Sequence, residues 1–130
     1  MHDGKMRLGL FFEGLGHHTA AWRDPHVDPF ERQSFAHFQR IAQTSERGLF
    51  DLLFTADTFA MFGPDEPEMW SRTTRMSRHE PLTLLAALAV ATKHIGLVAT
   101  ASTTFFEPFH IARFFASLDQ ISGGAAAGTW

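Results

Sequence analysis

Two groups of residues in this chain have the types and placement for chemistry. Asp57, with Thr58 behind it, ends the apolar run Phe50-Asp51-Leu52-Leu53-Phe54. Thr100, Ser102, Thr103 and Thr104 end a second apolar run, Ile95 to Ala99. A carboxylate accepts hydrogen bonds from a ring N–H or a ligand hydroxyl, and small alcohols donate to anionic or heteroaromatic oxygen. Both groups also have a plainer reading. Asp caps loops, and Ser and Thr close turns and cap helices. Capping accounts for one or two of the four hydroxyls and leaves the others over. Glu13 follows the first apolar run and is a third candidate. His18, in the loop beyond it, is a weaker catalytic candidate, since an imidazole at a pocket mouth can take part in acid–base work.

Other chemistries lack their residues. Gly14-Leu15-Gly16 has no third glycine opening a helix, so the dinucleotide fingerprint fails, and there is no P-loop. His17 and His18 are adjacent and cannot easily share one metal, and no HExxH spacing occurs, so no metal site is expected. There is no cysteine, hence no disulfide and no thiolate nucleophile. The formal charge of -3 and scattered basic residues argue against nucleic acid. The longest apolar run, Leu84 to Ala91, falls short of the roughly 20 residues a membrane span needs. A cytoplasmic protein without a membrane segment is the expectation.

The elements that must carry these residues alternate. Met6 to Phe12 is the first strand candidate and Pro29 to Arg47 the first helix, with Phe35, Phe38, Ala42 and Ser45 at steps of three and four. Gly48 sits where a left-handed C-terminal glycine is expected. Phe50 to Phe54 is apolar on both faces, which predicts a strand covered on two sides. Thr58 to His79 reads as a long loop. Trp22 and Trp70 lie in the two long loops. Pro81 opens a second helix, apolar nearly all round to Thr92. Ile95 to Ala99 is the third strand. Pro108 opens a third helix with an inward stripe of Ile111, Phe114, Phe115, Leu118 and Ile121. Three strand–helix units imply an α/β parallel sheet with right-handed crossovers, part of a doubly wound sheet or of a (β/α) barrel. In either, ligands sit at the C-terminal strand ends, where the candidates lie.

Three stretches carry a resemblance: HTAAWR at His18 to Arg23, ERGLFDLLFTAD at Glu46 to Asp57, and EPLTLLAALAVATKHIGLVATASTTFFEPFHIARFFASLDQISGG at Glu80 to Gly124. In this order they resemble the bacterial luciferase-like flavin monooxygenases, in the branch with nitrilotriacetate, dimethyl-sulfide and dibenzothiophene-sulfone monooxygenases. The resemblance implies the first three βα units of a (β/α)8 TIM-type barrel. It implies reduced FMN supplied by a separate flavin reductase, dioxygen as co-substrate, and a small organic substrate containing sulfur or nitrogen. It also implies a homo-oligomer. By the same resemblance Asp57 and Thr103 lie against the flavin, Thr58 and Thr104 are neighbours able to share that task, and His18 lies on the substrate side. Small hydroxyls at a strand end would hold a reactive flavin without admitting water.

The family pattern continues past Gly124 with an arginine, a Trp-Asn pair and a fourth strand. Here the sequence reads Ala125-Ala126-Ala127-Gly128-Thr129-Trp130. Residues 1–124 are therefore expected to be the N-terminal part of the barrel and 125–130 an off-family tail. A complete barrel takes eight units and about 250 residues. On that reading the chain is truncated, inactive alone, weakly stable, and open at its third strand. A remnant or oligomerising module without turnover is the competing reading. A flavodoxin-like domain is disfavoured by the missing phosphate loop.

Overall fold

The computed structural model describes residues 4–18, 20–59, 68, 72 and 77–129. Most of the loop between residues 58 and 79, and Trp70 with it, lies outside the described residues. The described elements are β1 (Gly9–Phe11), α1 (Phe35–Arg47), β2 (Leu52–Thr55), α2 (Pro81–Ala89), β3 (Gly96–Thr100), α3 (Pro108–Ser122) and β4 (Ala126–Thr129). Short 3-10 turns at Ala21–Arg23 and Glu31–Gln33 interrupt the connection between β1 and α1.

All four strands are parallel and lie in the order β1-β2-β3-β4. Leu10 pairs with Leu53, Leu53 with Leu97, and Leu97 with Ala126. A doubly wound sheet reverses its strand order; this one advances one strand at a time. Right-handed crossovers of that kind place every helix on one face, which is the arc of a (β/α) barrel. Burial follows from it. Leu53, Leu97 and Ala99 are sealed beneath Phe38 and Ala42 of α1, Leu85 and Leu88 of α2, and Leu118 of α3. Leu52, Phe54 and Val98, on the other face, are only half-buried. The expectation of a second strand covered on two sides is thus corrected: among the described residues the helices cover one side alone.

Several boundaries move for local reasons. The first helix begins at Phe35 rather than Pro29. Asp28 caps the N–H of Phe30 at 2.9 Å, one 3-10 turn follows, and Ser34 is extended before the α-helix starts. Gly48 does not take the left-handed conformation. Its φ is -77°, and Leu49 takes the positive value, 61°. Glycine serves at 48 by lacking bulk, since a Cβ there would lie 3.3 Å from the Thr44 carbonyl oxygen. Gly123, which ends α3, does adopt the left-handed form, at φ 69°. On α3 itself Ile111 and Leu118 are buried and Phe115 half-buried, whereas Phe114 and Ile121 stay 42% and 52% exposed. The predicted stripe is broader than the face the sheet covers.

The third strand is not an edge. Residues Ala126–Thr129 form β4 beside it, with the Leu97 N–H donating to Ala125 O at 2.7 Å and the Ala101 N–H to Thr129 O at 2.9 Å. The residues there are small because Phe115 fills the space above them. A Cβ on Gly128 would fall 2.5 Å from the ring. Among the described residues no helix is long and apolar enough to cross a membrane.

Candidate functional site

Parallel strands in sequential order bring every strand's C-terminal end to one edge. Asp57 leaves β2 and Thr103 leaves β3, and these two strands are neighbours, with Thr55 paired to Ala99. The loops beyond them touch. The Phe59 ring lies 4.6 Å from Phe105 and 5.9 Å from Phe106, centroid to centroid. Offset aromatic contacts of this kind hold two loops in one arrangement.

Asp57 is half-buried, and its Oδ1 accepts the N–H of Thr58 at 2.8 Å. The capping role is real but engages only one oxygen. Among the described residues no protein donor reaches Oδ2. Thr58 is half-buried beside it. The hydroxyl cluster divides. Thr100 Oγ1 sits 3.5 Å from Thr129 Oγ1, so it is engaged across the strand pair. Thr103 and Thr104 are exposed in a turn closed by the Phe106 N–H donating to Ser102 O at 3.1 Å. Among the described residues no side chain caps α3, so the helix-capping reading of the hydroxyls has no counterpart there.

Glu13 and His18 lie further along the same edge, around a separate cavity of about 60 Å³. Its wall includes Thr55 and Ala56, so it begins one residue from Asp57. Glu13 Oε1 is 3.0 Å from Arg78 Nη2, and His18 is exposed, its Nδ1 accepting the Ala20 N–H at 3.1 Å. Arg32, Arg78 and His79 complete the polar wall. Sequence reasoning passed over the two arginines. They come from different loops, and only the tertiary fold joins them. His17 is structural: its Nε2 meets Phe11 O at 3.0 Å and its ring lies against Phe11. Trp22, in the loop after β1, is half-buried, with the Arg23 guanidinium 5.0 Å from its ring centre.

At the other end of the sheet one carboxylate holds the frame. Glu46 Oε1 accepts the N–H groups of Lys93, His94 and Ile95, the turn that enters β3. Asp51 does the same for β1, taking the Leu8 N–H at 2.7 Å and pairing with Arg7 at 3.0 Å. Hydrogen bonds from the Leu8 N–H and the Arg7 guanidinium hold its carboxyl below the usual range. Glu80 is the N-cap of α2, its carboxylate accepting the N–H groups of Leu82 and Thr83.

A sequential parallel sheet with polar groups gathered on its C-terminal edge defines the class, the arc of a (β/α) barrel. The chain belongs to the luciferase-like monooxygenase family, whose model matches residues 6–126. It is 47% identical over 122 residues to N-acetyl-S-(2-succino)cysteine monooxygenase of Bacillus subtilis (strain 168), covering 94% of this chain and 26% of that protein. It is 42% identical over 128 residues to nitrilotriacetate monooxygenase component A of Aminobacter aminovorans, covering 94% and 28%. The crystal structure of riboflavin lyase with modified FMN and substrate riboflavin aligns with a TM-score of 0.84 and 30% identity, over 96% of this chain and 29% of that one. The chain thus spans little more than a quarter of the length of the curated relatives it matches.

The residues present fit a flavin by their chemistry. A flavin is a flat aromatic with a polar edge. The β2 and β3 ends offer an open carboxylate oxygen, two alcohols without a protein acceptor among the described residues, and a group of aromatic rings, all on one rim.

Proposed function

We propose that this chain supplies the flavin-facing arc of a two-component monooxygenase. That enzyme takes reduced FMN from a separate flavin reductase and uses dioxygen to oxygenate a small organic substrate containing sulfur or nitrogen. The two relatives above are named for an S-substituted cysteine and for an amine, which supports that substrate class. The flavin supplies the oxygen chemistry when bound. This chain's residues orient it: Asp57 Oδ2 accepts from the ring edge or side chain, and the Thr103 and Thr104 hydroxyls, with Thr58, donate to it. Phe59, Phe105 and Phe106 offer it apolar ring surface at the rim. Assembly as a homo-oligomer belongs to the same reading.

The observation that carries it is the adjacency of the Asp57 and Thr103 loops on one strand edge, clasped by Phe59 and Phe105. Flavin fluorescence titration tests it. Saturable quenching of FMN supports the proposal, and none up to millimolar protein rejects it. Exposed Phe114 and Ile121 on α3 favour a second reading, an oligomerising module without turnover. Self-association in sedimentation together with no flavin quenching would select that one.

A further inference from the structure

The cavity beside Glu13 carries positive charge that the ring-facing residues named above do not account for. Arg32, from the turn before α1, and Arg78, from the segment before α2, both line it. Glu13 lies 3.0 Å from Arg78 and answers that charge. Arg32 is bound to neutral oxygens instead, its Nη2 donating to Ser77 O and, at 2.8 Å, to Ser77 Oγ. A guanidinium has five donors, and both of these bonds leave from one nitrogen, so Nη1 and Nε keep donors for a ligand. Burial first, and the Arg78 charge second, push Arg32 below the usual guanidinium range. Two like charges share a half-closed space, and among the described residues no carboxylate pairs with Arg32.

An oxyanion removes that imbalance. Arginine forks match carboxylate geometry and gain strength where water is partly excluded. The volume suits such a group: about 60 Å³ exceeds what one water needs, roughly 10–15 Å³. His18 and His79 also line it. Because Thr55 and Ala56 also line the cavity, a molecule anchored there extends toward Asp57.

We propose that this cavity is an oxyanion subsite in which Arg32 and Arg78 hold a carboxylate of the organic substrate. The assignment to the substrate rests on the flavin reading above; the oxyanion site itself does not. Cofactor phosphate shares the same chemistry, so the test separates the two. Tricarballylate and inorganic phosphate are titrated calorimetrically into the wild-type chain, Arg32→Gln and Arg32→Lys, with circular dichroism confirming the fold of each. FMN and riboflavin affinities are read in parallel by fluorescence. The expected result is tricarballylate binding weakened tenfold or more in Arg32→Gln and partly restored in Arg32→Lys, with FMN affinity unmoved. Equal binding of tricarballylate by wild type and folded Arg32→Gln overturns the subsite, as does no binding of either anion at millimolar concentration. Loss of FMN but not riboflavin affinity in Arg32→Gln overturns the assignment to substrate. A missing flavin signal with Arg32-dependent tricarballylate binding leaves the subsite standing and sinks the flavin reading instead.

Discussion

The Glu46 carboxylate, in the last turn of α1, accepts the backbone N–H of His94 at 2.6 Å, across forty-eight positions of sequence. The same oxygen takes the N–H of Lys93 at 2.7 Å and of Ile95 at 3.2 Å. A helix end and a strand entrance are therefore fixed to each other by one side chain. Since β2 begins just after α1, the contact also sets how β2 and β3 start side by side, and so where Asp57 and Thr103 emerge.

Replacing Glu46 by Ala leaves those three donors without their charged acceptor. The expected cost is about 1–3 kcal/mol of unfolding free energy, read from urea midpoints. The effect depends on pH. Burial pushes the carboxyl up, and the bonds from His94, Lys93 and Ile95 outweigh it, so the folded group titrates below the usual glutamate range. A lowered folded value means stability present above the unfolded value and lost as pH falls through the folded one. The gap between wild type and Glu46→Gln should be full at neutral pH and close in acid. A constant gap would contradict the role.

Leu49 stands at φ 61° with 84% of its surface exposed. The left-handed conformation costs a non-glycine residue energy, and here no packing compensates. Leu49→Gly should raise stability by roughly 0.5 kcal/mol, the relief of strain exceeding the entropy added to the unfolded chain. A drop in the urea midpoint would show that Leu49 is not strained.

Gly128 faces the Phe115 ring so closely that Ala there would place its Cβ 2.5 Å from Cζ and 2.8 Å from Cε1. Gly128→Ala should cost about 1–3 kcal/mol through overpacking. Adding Phe115→Leu should recover part of the loss. Two independent, additive losses would disprove the contact.

Asp57→Ala and Thr103→Ala are each expected to weaken FMN about tenfold, the scale of one hydrogen bond to a charged or polar partner. Thermal melts should stay within a degree or two, because among the described residues Thr103 makes no side-chain hydrogen bond and Asp57 makes one local one. Unchanged FMN affinity in both variants would move the cofactor away from this rim.

The sequence revealed the frame where local rules dominate. Pro81 and Pro108 open helices because proline suits a first helical turn. The runs around Leu53 and Leu97 read as strands because apolar residues with turn signals on both sides have few alternatives. It was silent where tertiary packing decides. Ala126-Ala127-Gly128-Thr129 has little strand propensity, yet it pairs with β3 under the Phe115 ring. The half-open inner faces of β2 and β3 were equally invisible, since Leu52, Phe54 and Val98 look as apolar as the residues that are sealed. At the candidate site, the placement of Asp57 and Thr103 beyond neighbouring strand ends was legible because position at a strand end is itself a signal. That of Arg32 and Arg78 was not, because neither has a neighbour in sequence that foretells the other.

The meeting of Phe59 with Phe105 has a thermodynamic consequence. Loops that a ligand must organise by itself weaken its binding, since the freedom they lose opposes the attraction. Here the ring contact ties each rim segment to its opposite number, so on the proposed reading an arriving flavin would find the two halves set at a common spacing. Cutting the ring at 59 back to alanine would return that disorder to both sides at once.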